Sequence, residues 1–527
     1  MQTMVLSSVL LIIFFAVMIG VGFYTRNMAR DVEGFALGGR TVGPWLTAFA
    51  FGTSYFSAVI FVGYAGQFGW LYGLSATWAG LGNAFIGSLL AWNILGRRTR
   101  IMTQKLDAKT MPDFFGKRFD STFLKVTASV IVFIFLIPYT ASLYNGLSSL
   151  FGLVFDIPYW LVIAIMAVLT GIYVVFGGYT ATAINDFIQG IIMLFGISAV
   201  IIAVLNDNGG LVEAAKKLSE IPADNWEHGA FSSVLGPDPL ALLFVVILTS
   251  LGTWGLPQMV SKFYAIKSEK DIHKGTIIST FFAIVVAGGC YFLGGFGRLY
   301  GDKIAYNEAT GKPLFDTIVP TMLSTLPSMV IAIVIVLVLA ASMSTLSSLV
   351  LTSSSTFTLD VIKTAKKDMS EKKQVTYMRV FILFFILISA VIAVIKDSYP
   401  GLTFIAQMMG VSWGALAGAF LAPFLYGLYW KKVTPASVGA CYVWGCAIAL
   451  IQLFITLSGT DVSGWGPVLG YIFKSSINSG VIAMVGGLVV VPVVSLFTAK
   501  MDEATVDEMF TSFERKVQVP QKEALED

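Results

Sequence analysis

Charged residues are scarce in this sequence. Asp, Glu, Lys and Arg make up 12% of the 527 residues, whereas soluble domains carry about 25%. Hydrophobic residues account for 56%, and the mean hydropathy is +0.80. This balance is typical of a protein with many membrane-spanning segments, and it leaves no stretch for a soluble catalytic or nucleotide-binding domain.

Cysteine and histidine are also rare. The three cysteines, Cys290, Cys441 and Cys446, all lie in apolar segments, so no disulfide framework is predicted. Both histidines, His228 and His273, lie between apolar segments. A histidine proton relay is therefore not expected, and neither is a membrane-embedded enzyme, which would need paired acids or histidines in the spans. The ion that we expect instead is Na⁺.

Long apolar runs are abundant, and crossing a bilayer as a helix takes roughly 20 residues. The short alternating runs of a β-barrel are absent from the sequence. It therefore predicts an all-α polytopic membrane protein with about 13 transmembrane helices. The predicted spans lie near residues 4–24, 44–70, 72–95, 123–155, 158–176, 182–205, 239–262, 276–298, 328–360, 379–395, 401–429, 435–457 and 479–498.

Basic residues follow a pattern that sets the orientation. If the N-terminus lies outside, most of the 34 Lys and Arg residues, such as Arg97, Arg98 and Lys366, fall in cytoplasmic loops or the C-terminal tail. This placement obeys the positive-inside rule. We therefore expect a multi-pass protein of the cell membrane (inner or plasma), with a transmembrane domain over residues 1–500 and a cytoplasmic tail over residues 501–527.

Two predicted spans contain residues that interrupt helices. The second span has glycines and hydroxyl side chains at mid-membrane, in the stretch 52–57, and the seventh has Gly252, Gly255 and Pro257. An opened helix survives in a membrane only where protein or a cavity satisfies its freed backbone groups. A pair of such spans in matching positions of two halves indicates a transporter site. The alternative is that the glycines only allow close helix packing.

Hydroxyl side chains crowd the ninth predicted span. Eleven of the 17 residues from Ser342 to Thr358 are Ser or Thr. Ser344, Ser347 and Ser348 share one helix face, because residues three and four apart are neighbours, and Thr345 lies one step round. The Ala341 carbonyl points toward the same patch. Neutral oxygens of this kind line membrane sites for monovalent cations, although an isolated Ser or Thr usually only bonds back to its own helix.

One carboxylate stands out among the predicted spans. Asp186 lies near the predicted cytoplasmic end of the sixth span, with Gln189 one turn later. An acidic residue inside the membrane is a functional candidate. The alternative is a water-exposed aspartate at the membrane interface.

Three motifs resemble the sodium/solute symporter family, over roughly residues 5–500. They are "GFALGGRTVGP" (34–44), "GGYTATAINDFIQG" (177–190) and "AASMSTLSS" (340–348). The bacterial pantothenate and proline branches are the most similar. The resemblance implies a five-plus-five inverted-repeat (LeuT-like) core with one extra N-terminal and two extra C-terminal helices. It places the first repeat at residues 43–205 and the second at residues 239–429.

The resemblance also implies ion sites. A family-type Na⁺ site would use the carbonyls of Thr53, Phe56 and Ala341 and the hydroxyls of Ser344 and Thr345. Sialic acid symporters are similar to this chain in having further serines and an aspartate. The matching residues for a hypothetical second Na⁺ site are Asp186, Ser344, Ser347 and Ser348.

The substrate is less constrained. We expect Tyr55, Ser57 and Trp254 to face it, with Tyr139 and Gln258 as further candidates, although an aromatic residue there is equally well a packing or gate residue. Proline symporters carry an aspartate where this chain has Tyr55, and pantothenate symporters are more similar there. No unpaired Lys or Arg lies deep in a predicted span. These features favour a small, uncharged to monoanionic solute.

The sequence therefore predicts a Na⁺-coupled secondary active symporter that imports a small organic solute by alternating access. The solute would be an amino acid such as proline, pantothenate or another small monocarboxylate. The alternative is a Na⁺-independent channel or facilitator for a small neutral solute. The expected partners are the solute and the lipid bilayer; neither a nucleic acid nor an obligatory protein partner is expected.

Overall fold

A computed structural model describes residues 2–151, 155, 157–223, 228–306, 311, 313–397 and 405–513. The first residues of the eleventh predicted span, 401–404, and the end of the predicted tail, 514–527, lie outside them. The described residues contain no strand beyond isolated bridges. This confirms the all-α class.

The described residues up to Ser219 form ten α-helices, and π-helical turns at Val59–Tyr64, Asn83–Leu90 and Trp92–Gly96 continue some of them. The helices are α1 (Gln2–Thr25), α2 (Val32–Leu37), α3 (Pro44–Thr53), α4 (Ala65–Tyr72), α5 (Thr77–Gly82), α6 (Arg97–Lys105), α7 (Met111–Arg118), α8 (Thr122–Phe151), α9 (Tyr159–Asp207) and α10 (Leu211–Ser219).

The described residues from Pro239 onward also form mainly α-helices, with π-helical turns at Ile284–Gly288 and Phe357–Ile362. Its described helices are α11 (Pro239–Leu251), α12 (Pro257–Ala265), α13 (Glu269–Ala283), α14 (Gly289–Gly294), α15 (Ile318–Ser324), α16 (Ser328–Thr356), α17 (Lys363–Ala365), α18 (Glu371–Asp397), α19 (Ile405–Tyr429), α20 (Pro435–Ser458), α21 (Gly466–Phe473), α22 (Ser476–Phe497) and α23 (Glu503–Phe510).

The predicted number of thirteen spans is not confirmed. Within the described residues, ten helical segments are long and apolar enough to cross a membrane, or eleven if one bent pair is counted as a span. The difference comes from helices that run together. The fifth and sixth predicted spans, for example, lie in one continuous segment, α9, of 49 residues, in which two helices meet at Gly178 with φ 54° and ψ −145°. Only glycine adopts that conformation readily.

Both predicted helix breaks are present. Helix α3 ends at Thr53, and the chain leaves helical geometry before it resumes at Ala58. Helix α11 gives way to a 3₁₀ turn, Leu256 is extended, and α12 restarts at Pro257 with a bend of 48°. Proline suits the first turn of a helix because it has no N–H to leave unpaired there. Each break frees carbonyl groups in the protein interior.

Helix α16 lies in the centre of the molecule and packs against α1, α8, α9 and α18. Every residue from Ala340 to Leu351 is buried. The hydroxyl side chains of this stretch therefore face other protein groups and not lipid. This central position brings α16 next to the first break.

Candidate functional site

The five oxygens of the predicted first Na⁺ site lie together. Ser344 Oγ donates to the carbonyls of Thr53 (3.3 Å) and Ala341 (3.0 Å). Thr345 Oγ1 is 3.0 Å from the Thr53 carbonyl oxygen, 3.3 Å from that of Phe56 and 3.2 Å from that of Ala341. We call these five groups the oxygen cage. All five residues are buried.

The chemistry of the oxygen cage suits a monovalent cation. It combines three carbonyls and two hydroxyls and carries no formal charge. Without an ion the hydroxyls are satisfied by donating to the carbonyls, so the empty arrangement avoids the cost of buried unpaired polar groups. To bind a cation, the two hydroxyl groups would only have to rotate until their lone pairs face the ion. This is possible because a hydroxyl is both a donor and an acceptor.

Ser348 extends this polar region toward the second break. Its Oγ lies 2.9 Å from Ser54 Oγ, and Ser54 Oγ in turn donates to the Ala50 carbonyl. Ser348 Oγ also accepts a hydrogen bond from Lys262 Nζ at 3.1 Å. Ser348 therefore connects the first broken helix, through α16, with the second half of the other broken helix.

Asp186 lies fully buried on α9. The alternative of a water-exposed aspartate is therefore wrong. Its Oδ2 is 3.9 Å from Lys262 Nζ, and among the described residues neither carboxylate oxygen has a hydrogen-bond partner. The Lys262 ammonium also lies 5.1 Å from the centre of the Tyr179 ring. The sequence placed Lys262 at the end of a span and gave it no role.

The four residues predicted for a second Na⁺ site are only partly connected. Asp186 and Ser348 both face the Lys262 ammonium. Ser344 belongs to the oxygen cage, and Ser347 Oγ donates to the Ser344 carbonyl at 2.9 Å. The position expected for an ion beside Asp186 is therefore next to a lysine.

The predicted substrate residues are buried around the two breaks. Tyr55 Oη and both amide atoms of Gln258 lack hydrogen-bond partners within the described structure. Ser57 Oγ accepts from the Val59 N–H at 3.2 Å. Trp254 differs from them, because its Nε1 already donates to the Ile86 carbonyl at 3.0 Å.

Tyr139, a predicted substrate residue, contacts Trp413, which the sequence analysis did not single out. Its ring packs edge-on against Trp413 of α19, with ring centres 6.1 Å apart. The Trp413 indole is fully buried, and its Nε1 has no hydrogen-bond partner in the described part of the chain. Gly252 at the second break approaches the same indole. A tryptophan flanked by small residues, as in "VSWGALAG" (411–418), was the available signal.

A narrow cavity leads away from Lys262 toward the predicted cytoplasmic side. It measures about 30 Å³, and its lining includes Lys262, Ser348, Thr352, Ser355 and Thr110. A polar cavity of this size has room for a water molecule. Four hydroxyl residues of α16 outside the oxygen cage line this cavity: Ser348, Thr352, Ser355 and Thr356.

An ion-pair network lies beyond this cavity. Thr110 Oγ1 donates to Asp360 Oδ2 at 2.6 Å, and Lys125 Nζ is 3.5 Å from Asp360 and 2.8 Å from Asp113. Burial raises the pKa of Asp113, but the Lys125 and Lys117 ammonium groups outweigh it and hold that pKa below its usual value. The network joins the loop before α7, the start of α8 and the end of α16.

No cluster of three or more His, Cys, Asp or Glu side chains suited to a metal ion occurs in the described residues.

Comparisons with known proteins identify relatives of this chain. The sodium:solute symporter family model matches residues 35–449, well over half of the chain. The osmoregulated proline transporter OpuE of Bacillus subtilis (strain 168) is 28% identical over 477 residues, which cover 90% of this chain and 93% of the relative. Sodium/proline symporter 2 of Staphylococcus saprophyticus is 28% identical over 452 residues, covering 84% and 85%.

A solved structure gives the same fold. The substrate-bound outward-open state of a Na⁺-coupled sialic acid symporter aligns with a TM-score of 0.72 and 17% identity, covering 94% of this chain and 98% of that one. At this identity the likeness concerns the fold. The family match covers both breaks and the oxygen cage. The chain belongs to the sodium:solute symporter family.

Proposed function

We propose that this protein imports a small organic solute together with Na⁺, by alternating access. The observation that carries the proposal is the convergence of Thr53, Phe56 and Ala341 carbonyls with the Ser344 and Thr345 hydroxyls. These groups come from two elements, the broken helix and α16. A cation held between them ties the two elements together.

This tie provides the coupling. A ligand shifts a conformational equilibrium only if it binds one state better than the other. The oxygen cage is complete only while the break of α3 lies against α16, so Na⁺ favours the state in which these elements are in contact. We assign this state to the outward-open form. An inward Na⁺ supplies about 2.3 kcal/mol per 100 mV of membrane potential, in addition to its concentration gradient.

The solute would be bound between the breaks. Tyr55, Ser57, Tyr139 and Gln258 offer hydroxyl and amide groups there, and we assign Trp254 a positioning role because its N–H is already bonded. Within the described residues, the lysine nearest to Gln258 along α12 is engaged with Asp186. A carboxylate would therefore be held by neutral donors, which suits an uncharged to monoanionic solute.

Proline, pantothenate and short monocarboxylates are the solutes to test. Two relatives of this chain, OpuE and sodium/proline symporter 2, are named as proline transporters, which makes proline the first probe. Proline symporters carry an aspartate at the position that Tyr55 holds here. This difference favours a solute other than proline. We also propose repeats at residues 43–205 and 239–429, an outside N-terminus and a cell-membrane location.

Uptake into proteoliposomes tests the proposal. Purified protein is reconstituted and given labelled proline, other amino acids, pantothenate or short monocarboxylates, with and without an inward Na⁺ gradient. We expect at least one solute to accumulate above its external concentration only when the Na⁺ gradient is present. Downhill flux of a solute that is independent of Na⁺ would support the channel alternative and contradict the proposal.

A further inference from the structure

The position predicted for a second Na⁺, beside Asp186, is faced by the ammonium group of Lys262. Lys262 Nζ is 3.1 Å from Ser348 Oγ and 3.9 Å from Asp186 Oδ2. Asp186 and Ser348 are two of the four residues that the sequence predicts for a second Na⁺. All three side chains are almost completely buried. Here the buried carboxylate has an internal cation as its partner.

The hydroxyl protons around Ser348 are ordered as they would be around a cation. Ser54 Oγ donates to the Ala50 carbonyl, so the contact between Ser54 and Ser348 requires Ser348 to be the donor. Ser348 then presents a lone pair to Lys262. An alcohol oxygen presents its lone pairs to a metal ion in the same way. The ammonium group uses the coordination that an ion would use.

The groups on the remaining side of the Lys262 ammonium would also suit a metal cation. The Tyr179 ring lies 5.1 Å from Lys262 Nζ, within the range of a cation–π contact. The narrow cavity of about 30 Å³ opens beside Lys262 and Ser348. The 3.9 Å between Lys262 Nζ and Asp186 Oδ2 is the distance of an ion pair without a direct hydrogen bond.

Charge balance argues against an additional ion. Asp186 and Lys262 together are neutral, and the other charged side chain that lines the cavity beside Lys262 in the described structure, Lys109, is also a cation. A Na⁺ added beside Asp186 would leave a net positive charge in a buried site and would lie next to the ammonium. Like charges that are close and buried repel strongly.

We propose that the Lys262 ammonium serves as a tethered cation between Asp186 and Ser348, so that the protein binds one Na⁺ and not two. The inference rests on the proposed function, because the single Na⁺ is the one in the oxygen cage. It replaces the hypothesis of a second Na⁺ site at Asp186, Ser344, Ser347 and Ser348. It also gives Lys262 the task of holding α9, α12 and α16 together.

Equilibrium binding of ²²Na⁺ to the purified full chain in nanodiscs tests the inference without knowledge of the solute. We expect one Na⁺ per wild-type protein and still one for Asp186→Asn. Lys262→Met, which removes the ammonium and leaves the carboxylate without a partner, should bind two. The double variant Asp186→Asn/Lys262→Met should return to one. Lys270→Gln is the matched control, since Lys270 is exposed on the same side, and should bind one.

The outcomes separate this inference from the proposed function. No Na⁺ bound by the wild type would overturn both. Two Na⁺ in the wild type, falling to one in Asp186→Asn, would overturn the inference and leave the proposed function standing. One Na⁺ in a folded Lys262→Met variant would also overturn the inference. If that variant does not fold, the comparison of wild type with Asp186→Asn still decides.

Discussion

At the scale of single residues, three buried side chains around the two helix breaks have polar atoms without hydrogen-bond partners in the described structure. Buried polar side chains are normally hydrogen-bonded. Gln258 has neither of its amide atoms bonded in the described structure, although its side chain is fully buried. The Trp413 indole N–H and the Tyr55 hydroxyl share this property. Groups left unpaired in this way are available to a solute.

Gln258→Leu should separate binding from stability. Leucine has a similar size and removes both unpaired amide atoms, so we expect thermal stability to be unchanged or slightly higher. Solute uptake should lose affinity, with KM raised at least about tenfold if one hydrogen bond of about 1.4 kcal/mol is lost. Transport kinetics and thermal unfolding in detergent check this. A fall in stability together with unchanged KM would show that Gln258 only packs.

The residues of the site differ in how far the sequence predicts them. The five residues of the oxygen cage were expected from the resemblance to the family, whereas the helix break and the hydroxyl pattern by themselves indicated only the stretch 52–57 and the patch around Ser344. The ion-pair role of Lys262 was not predicted. A lysine at the end of a predicted span is expected to lie at the membrane interface. Only the bend at Pro257 carries Lys262 inward against Asp186.

At the scale of elements, helix α9 depends on one glycine. At the Gly178 kink, an added Cβ would lie 2.8 Å from the Phe35 carbonyl oxygen, and the backbone φ is positive. The kink directs the second half of α9, with Asp186, along α16. The sequence predicts an interruption here, because the fifth and sixth predicted spans are separated at residues 177–181, but it does not give the backbone conformation of Gly178. Glycines followed by proline, at the other break, gave a clearer signal.

Gly178→Ala should destabilise the protein. The strained backbone should cost about 1–3 kcal/mol, and the clash with Phe35 adds to it. Gly171→Ala on the same helix is the matched control, because the added Cβ would make only ordinary contacts at 3.6 Å. We expect a lower unfolding temperature for the first variant and an unchanged or slightly higher one for the second. Equal unfolding temperatures would contradict the role of the kink.

At the scale of the whole molecule, the oxygen cage and the network around Asp360 lie at successive levels along α16. The network connects three separate elements on the predicted cytoplasmic side. The narrow cavity lies between the two levels. We therefore expect this network to act as an inner gate. The sequence could not predict it, because its members are distant along the chain and each is an ordinary charged residue near a helix end.

Asp360→Asn should open this gate more often. Losing a buried charged partner of Lys125 weakens the closed state by about 1.5–3 kcal/mol. A cysteine at position 352 (Thr352→Cys), in a background without native cysteines, should then react about tenfold faster with a water-soluble maleimide. Na⁺ should slow the reaction. Asp368→Asn, at an exposed position on the same side, is the control and should leave the rate unchanged. Equal rates for both variants would argue against a gate.

The most direct test of the oxygen cage as the driving site compares two variants of α16 in proteoliposomes. Thr345→Val removes one cage oxygen with little change of shape, and Ser353→Ala removes a buried hydroxyl of the same helix that lies outside the cage. The measurement is the Na⁺ concentration that half-activates uptake of the transported solute. Thr345→Val should raise this concentration at least about tenfold or abolish uptake, the loss expected for about 1.4 kcal/mol or more, while Ser353→Ala should leave it within twofold of wild type. An unchanged Na⁺ dependence in a well-folded Thr345→Val variant would contradict the account.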